Sequence, residues 1–101
     1  MAKERETIVQ TSDVRVRIME LDAEEIGPWH YHSEVTDHIV CLSGKIAVEF
    51  EDSPEESLLD PGGRCVVECG RTHRVSNPER ERASYLLVQG VGRYDFNLFG
   101  K

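Results

Sequence analysis

Apolar and polar residues alternate with a period of two along much of the chain, as in Val14-Arg15-Val16-Arg17-Ile18 and Ile46-Ala47-Val48-Glu49-Phe50. A pleated strand sends successive side chains to opposite faces, so this alternation predicts strands buried on one side. Apolar runs at Ile39 to Leu42, Cys65 to Val67, Tyr85 to Val88 and Tyr94 to Phe99 are too short for a core helix, and most are bounded by Gly or Pro clusters. Turn-forming residues separate them at Gly27-Pro28, Ser43-Gly44, Asp52-Ser53-Pro54, Asp60-Pro61-Gly62-Gly63, Asn77-Pro78 and Gly90-Val91-Gly92. About six to nine strands are expected from this punctuation. Leu21 to Glu25 and Pro54 to Ser57 read as single helical turns at most, and Glu79-Arg80-Glu81-Arg82 as a solvated hairpin tip. Many short strands in a chain of this size predict an all-β sandwich or closed barrel, which buries one face of each strand and controls exposed edges.

Composition narrows the class. A chain of 101 residues, 39% hydrophobic and 31% charged, fits one domain spanning 1–101. Its 19 acidic against 12 basic side chains give a formal charge of −7. That balance repels phosphate backbones and acidic lipid surfaces, so neither nucleic acid nor a membrane is an expected partner. No stretch approaches the roughly 20 apolar residues that span a bilayer, and the charged start, Met1-Ala2-Lys3-Glu4-Arg5-Glu6, lacks an apolar signal core. A cytoplasmic location is expected. Three cysteines, Cys41, Cys65 and Cys69, are too few for a secreted disulfide framework and read as small buried hydrophobes in a reducing compartment.

Candidate chemistry begins at His30 and His32. A spacing of two on a strand puts both imidazoles on one face, about 7 Å apart at their bases, within reach of one metal ion. The same pair is also compatible with a solvated polar stripe. Cys65, Cys69 and His73 have zinc-ligand residue types, but their spacing aligns them only on a helix, and Val66-Val67 followed by Gly70 favours a strand ending in a turn. In that strand Cys65 and Val67 share a core face, and Cys69 lies in the turn before His73. Cys41 has the parity of Asp37 and points either into a pocket or into the core. No nucleophile, base and orienting group stand in a recognisable pattern, and Gly62-Gly63 is an isolated pair, not a phosphate loop. Trp29, Tyr31, Tyr94 and Phe96 are the aromatics expected near a barrel mouth or an interface.

The run from His30 through Gly44 and the later run Gly70-Arg71-Thr72-His73-Arg74-Val75-Ser76-Asn77 resemble the two motifs of the cupin family. In the first motif, about 24–44, His30, His32 and Gly44 match, and Asp37 stands in the glutamate position. In the second, about 62–77, Gly62, Gly70, His73 and Asn77 match. The 17 residues between Gly44 and Gly62 suit a small cupin. Three positions depart from the pattern. Glu24 replaces the opening glycine, with Gly27 nearby, Glu68 replaces a proline, and Asp37 is one methylene shorter than glutamate. Glu34, which shares the parity of His30 and His32, is the alternative carboxylate.

The resemblance implies a double-stranded β-helix, or jelly roll, with His30, His32, Asp37 and His73 binding one divalent ion (Fe, Mn, Zn, Ni or Cu) in the barrel mouth. It implies a metal-dependent enzyme acting on a small molecule, with dioxygenase chemistry ahead of isomerase or cyclase chemistry. A non-catalytic binding or sensing module is the alternative. A homodimer is expected, with a strand from Glu6 to Thr11 pairing across it, because so short a barrel has little core to spare.

Overall fold

The computed structural model describes residues 2–100, and its regular elements are all strands. They are β1 (Lys3–Gln10), β2 (Arg15–Leu21), β3 (His30–Tyr31), β4 (Thr36–Ser43), β5 (Ile46–Phe50), β6 (Glu56–Leu59), β7 (Arg64–Val67), β8 (His73–Ser76), β9 (Ala83–Gly90) and β10 (Asn97–Leu98). Ten strands exceed the expected number because β3 and β10 are only two residues long. Of the apolar run Tyr94 to Phe99, only Asn97–Leu98 pairs, opposite β3. Neither 21–25 nor 54–57 is helical: Leu21 closes β2 on a fully buried position, and Glu56 and Ser57 open β6. Among the described residues there is no helix long and apolar enough to cross a membrane.

The strands form two five-stranded sheets, one ordered β1-β2-β9-β4-β7 and the other β10-β3-β8-β5-β6. Every pairing is antiparallel. From β2 onward the chain changes sheet at every connection except β5 to β6, which rolls it into a double-stranded β-helix. The charged run at 79–82 therefore joins β8 in one sheet to β9 in the other and is not a hairpin tip. Asn77 holds this crossing. Its Nδ2 donates to the Asp22 and Glu81 carbonyls at 3.1 and 2.6 Å, and its Oδ1 accepts from the Glu79 amide at 3.0 Å.

The core lies between the sheets, where Leu21, Ile39, Ile46, Val48 and Val67 are buried. Burying each such side chain contributes roughly 1.5–3 kcal/mol. Alternation in β2 runs opposite to simple expectation: Arg17, Met19 and Leu21 face inward, while Val16 and Ile18 are only half-buried on the outer face. β5 is buried at Ile46, Ala47, Val48 and Phe50, so it is nearly enclosed on both faces. The outer face of the first sheet carries Val40, Leu42, Val66, Leu86 and Val88, all partly or largely exposed.

Backbone geometry accounts for motif residues without chemistry of their own. Gly44 turns β4 into β5 with φ of +72°, and an added Cβ there would lie 2.9 Å from that of Ala83. Glu24, at the position where the family pattern has glycine, adopts the same left-handed region with φ of +60°.

Candidate metal centre

Three histidines meet between the two sheets. His30 and His73 lie directly opposite each other on β3 and β8, and His32 follows β3 as the chain leaves for the first sheet. Ring centroids are 4.4 Å apart for His30 and His73, 5.0 Å for His30 and His32, and 5.6 Å for His32 and His73. One ligand atom from each ring lies within 4.8 Å of the other two.

Backbone carbonyls orient all three rings. Each Nδ1 stands 2.7–2.9 Å from a main-chain oxygen, of Pro28 for His30, of Asp95 for His32 and of Arg71 for His73. Donation at Nδ1 fixes the tautomer in which Nε2 carries a lone pair, and it leaves Nε2 pointing to the shared centre. His32 Nε2 and His73 Nε2 are buried and make no hydrogen bond. Asp37, inward on β4, brings Oδ2 to 3.3 Å from His32 Nε2 and 3.2 Å from His73 Nε2. Lone pairs facing a carboxylate in a buried site repel unless a proton or metal cation lies between them. The donor set therefore fits a divalent ion of the kind that imidazole and carboxylate bind.

The charge states follow from the surroundings. Burial, reinforced by the neighbouring His73 and His32, pushes His30 down to about 4. For His32 burial acts in the same sense, but the Asp37 carboxylate and, after it, Asp95 together more than offset it and raise the ring above its ordinary value. Burial alone would raise Asp37; the His32 and His73 rings and the Gln89 amide outweigh it and hold the carboxyl well below the usual range.

Asp37 is itself positioned by side chains that the sequence reading did not single out. Gln89, directly opposite it on β9, donates from Nε2 to Asp37 Oδ1 at 3.0 Å. Arg17 on β2 donates from Nη2 to Gln89 Oε1 at 2.7 Å. All three are buried. The signal available was a polar residue on the apolar parity of a strand: Gln89 shares the inward face of Tyr85 and Leu87.

Other expected residues fall elsewhere. Glu34 is exposed, with Oε1 accepting from the Arg93 amide at 3.1 Å, so Asp37 is the carboxylate beside the histidines. Cys41 is buried with its Sγ toward the Ser43 and Gly44 carbonyls and fills core volume. Cys65 packs against the core and Cys69 is exposed, so neither joins His73. Phe96 stacks on His30 at 4.4 Å and Tyr94 lies 5.5 Å from His32, whereas Trp29 sits against Arg74. A cavity of about 70 Å³ reaches the histidines, with Arg17, Met19, Asp37, Tyr85, Gln89 and Phe96 among its walls.

The fold and this arrangement place the chain in the cupin family: the Cupin domain model matches residues 17–89. A Klebsiella pneumoniae protein with a double-stranded β-helix domain superposes with a TM-score of 0.84 at 19% identity, over 99% of this chain and 85% of that one. A Thermus thermophilus protein does so with a TM-score of 0.78 at 22% identity, over 89% and 83%. An oxalate oxidase matches with a TM-score of 0.77 at 15% identity over 86% of this chain, which corresponds to 46% of its own length. At these identities the likeness is one of fold. No curated protein matches the chain by sequence.

Proposed function

We propose that the chain is a metal-dependent enzyme acting on a small organic molecule, with oxidase or dioxygenase chemistry as its leading form. One observation carries the reading: three backbone-oriented imidazoles and a buried carboxylate converge on one cavity with two unpartnered Nε2 lone pairs. His30, His32 and His73 would hold the ion, and Asp37 would complete the set. A divalent ion bound there polarises a substrate oxygen or, if redox-active, supplies electrons to dioxygen. The chain's own residues do the rest. The carbonyls of Pro28, Asp95 and Arg71 keep the rings aligned, Gln89 keeps Asp37 aimed, and Met19, Leu87 and Phe96 keep the cavity apolar. An oxalate oxidase with the same fold is a precedent for oxygen-dependent chemistry on it.

The second reading is a binding or sensing module whose ion is structural. Thermal melts and oxygen-uptake assays with and without chelator separate the two. An enzyme stays folded and loses turnover when stripped, whereas a structural site loses its fold with its ion. The wider reading also includes one domain over 1–101, a cytoplasmic location and a second copy of the chain as partner, with no nucleic acid or membrane bound. The apolar outer face of the first sheet supports the second copy.

A further inference from the structure

Arg17 is the one permanent cation that lines the cavity, and it is 8% exposed. Its guanidinium is incompletely satisfied. Nη2 is taken by Gln89, Nη1 lies 3.6 Å from Glu4 Oε1, and Nε is buried with no hydrogen-bond partner. Glu4 is a weak companion, since its side chain is 44% exposed and it sits on β1, an edge strand whose register with β2 is broken twice. A buried guanidinium with a free donor is costly to maintain and is a ready-made clamp for a planar anion.

We propose that the cavity takes a small organic monocarboxylate, held by Arg17 at its carboxylate end with its remaining atoms toward the histidine cluster. This rests on the metal-centre reading for the role of that cluster, whereas the Arg17 contact itself needs no metal. The size and walls of the cavity argue for this class. About 70 Å³ admits only a few heavy atoms, and Met19, Val75, Leu87 and Phe96 favour a carbon skeleton over an inorganic anion. Tyr85, whose hydroxyl is neutral at ordinary pH, also lines the cavity. Glu4 competes with the ligand for the guanidinium, so its charge weakens binding.

The test is calorimetric titration of propanoate and of its neutral isostere propanamide into zinc-loaded and metal-free protein. The proteins are wild type, Arg17→Met and Glu4→Gln, with zinc content measured on each sample. Wild type is expected to prefer propanoate by about tenfold to a hundredfold, the range for a charge-assisted hydrogen bond. Arg17→Met should lose that preference in the zinc-loaded and the metal-free samples alike, and Glu4→Gln should bind propanoate more tightly than wild type. Equal binding of acid and amide by wild type overturns the proposal, and so does an undiminished preference in Arg17→Met. If Arg17→Met does not fold, Arg17→Gln replaces it, and the comparison within wild type still decides. Failure of wild type to retain zinc would count against the metal centre alone, because the acid and amide are also compared in metal-free protein.

Discussion

His30 shows how burial alone changes what a side chain does. Its folded pKa of about 4 lies below the 6.5 of a free imidazole. The unfolded chain therefore takes up a proton that the folded one refuses between those values, and acid favours unfolding there. Above pH 6.5 both states are neutral and the ring contributes nothing to the pH dependence; below about 4 its effect is complete. The metal-free protein should thus lose melting temperature as pH falls from 6.5 to 4, more steeply than a His30→Leu variant. Parallel slopes for the two proteins in scanning calorimetry would remove His30 as the cause. Glu24 gives a second residue-level expectation. A left-handed backbone costs an L-residue about 1–2 kcal/mol, of which glycine's greater unfolded-state freedom offsets about half. Glu24→Gly should stabilise by about 0.5–1 kcal/mol and raise the melting temperature by a few degrees, whereas Glu24→Ala should leave it nearly unchanged.

At the scale of elements, the pairing of β4 with β9 decides the site. It places Asp37 opposite Gln89, and the diagonal neighbour Arg17 on β2 completes a buried polar line across three strands. Gln89→Leu leaves Asp37 Oδ1 and Arg17 Nη2 without partners, and urea denaturation should show a loss of about 2–4 kcal/mol. Much of this level is legible from sequence. The period of two located β2 and β5, short apolar runs bounded by turn residues located β4, β7 and β9, and the spaced motifs located His30, His32, Asp37 and His73. What escaped has physical reasons. β3 and β10 are too short to carry a period, so their existence depends on pairing with each other and, for β3, with β8. Arg17 looked outward because its neighbours Val16 and Ile18 are apolar, whereas the parity that faces the core is the one it shares with Met19 and Leu21. Asp37 held the motif position with Glu34 as the alternative, and the structure turns Asp37 inward on β4 and Glu34 to the Arg93 amide.

For the whole molecule, two sheets enclose one core and leave the first sheet's outer face apolar. Small barrels bury a limited fraction of their surface, so covering Val40, Val66 and Val88 with a second copy would add the stability that the core lacks. The charged and bulged β1 resists edge pairing, which makes the face the favoured contact over the edge. Light scattering at micromolar concentration should give twice the 11.5 kDa of one chain, and Val66→Asp should restore the single mass. A monomeric wild type would remove the dimer without touching the site.

The central claim is that the histidine cluster binds a metal, and elemental analysis of protein purified without a tag or added metal tests it most directly. Wild type should carry about one divalent transition metal per chain, taken up on reconstitution if lost in purification, and folded His30→Ala and His73→Ala proteins should carry little. A wild type that stays empty after reconstitution with Fe, Mn, Zn, Ni and Cu, or variants that bind as much as wild type, would contradict it.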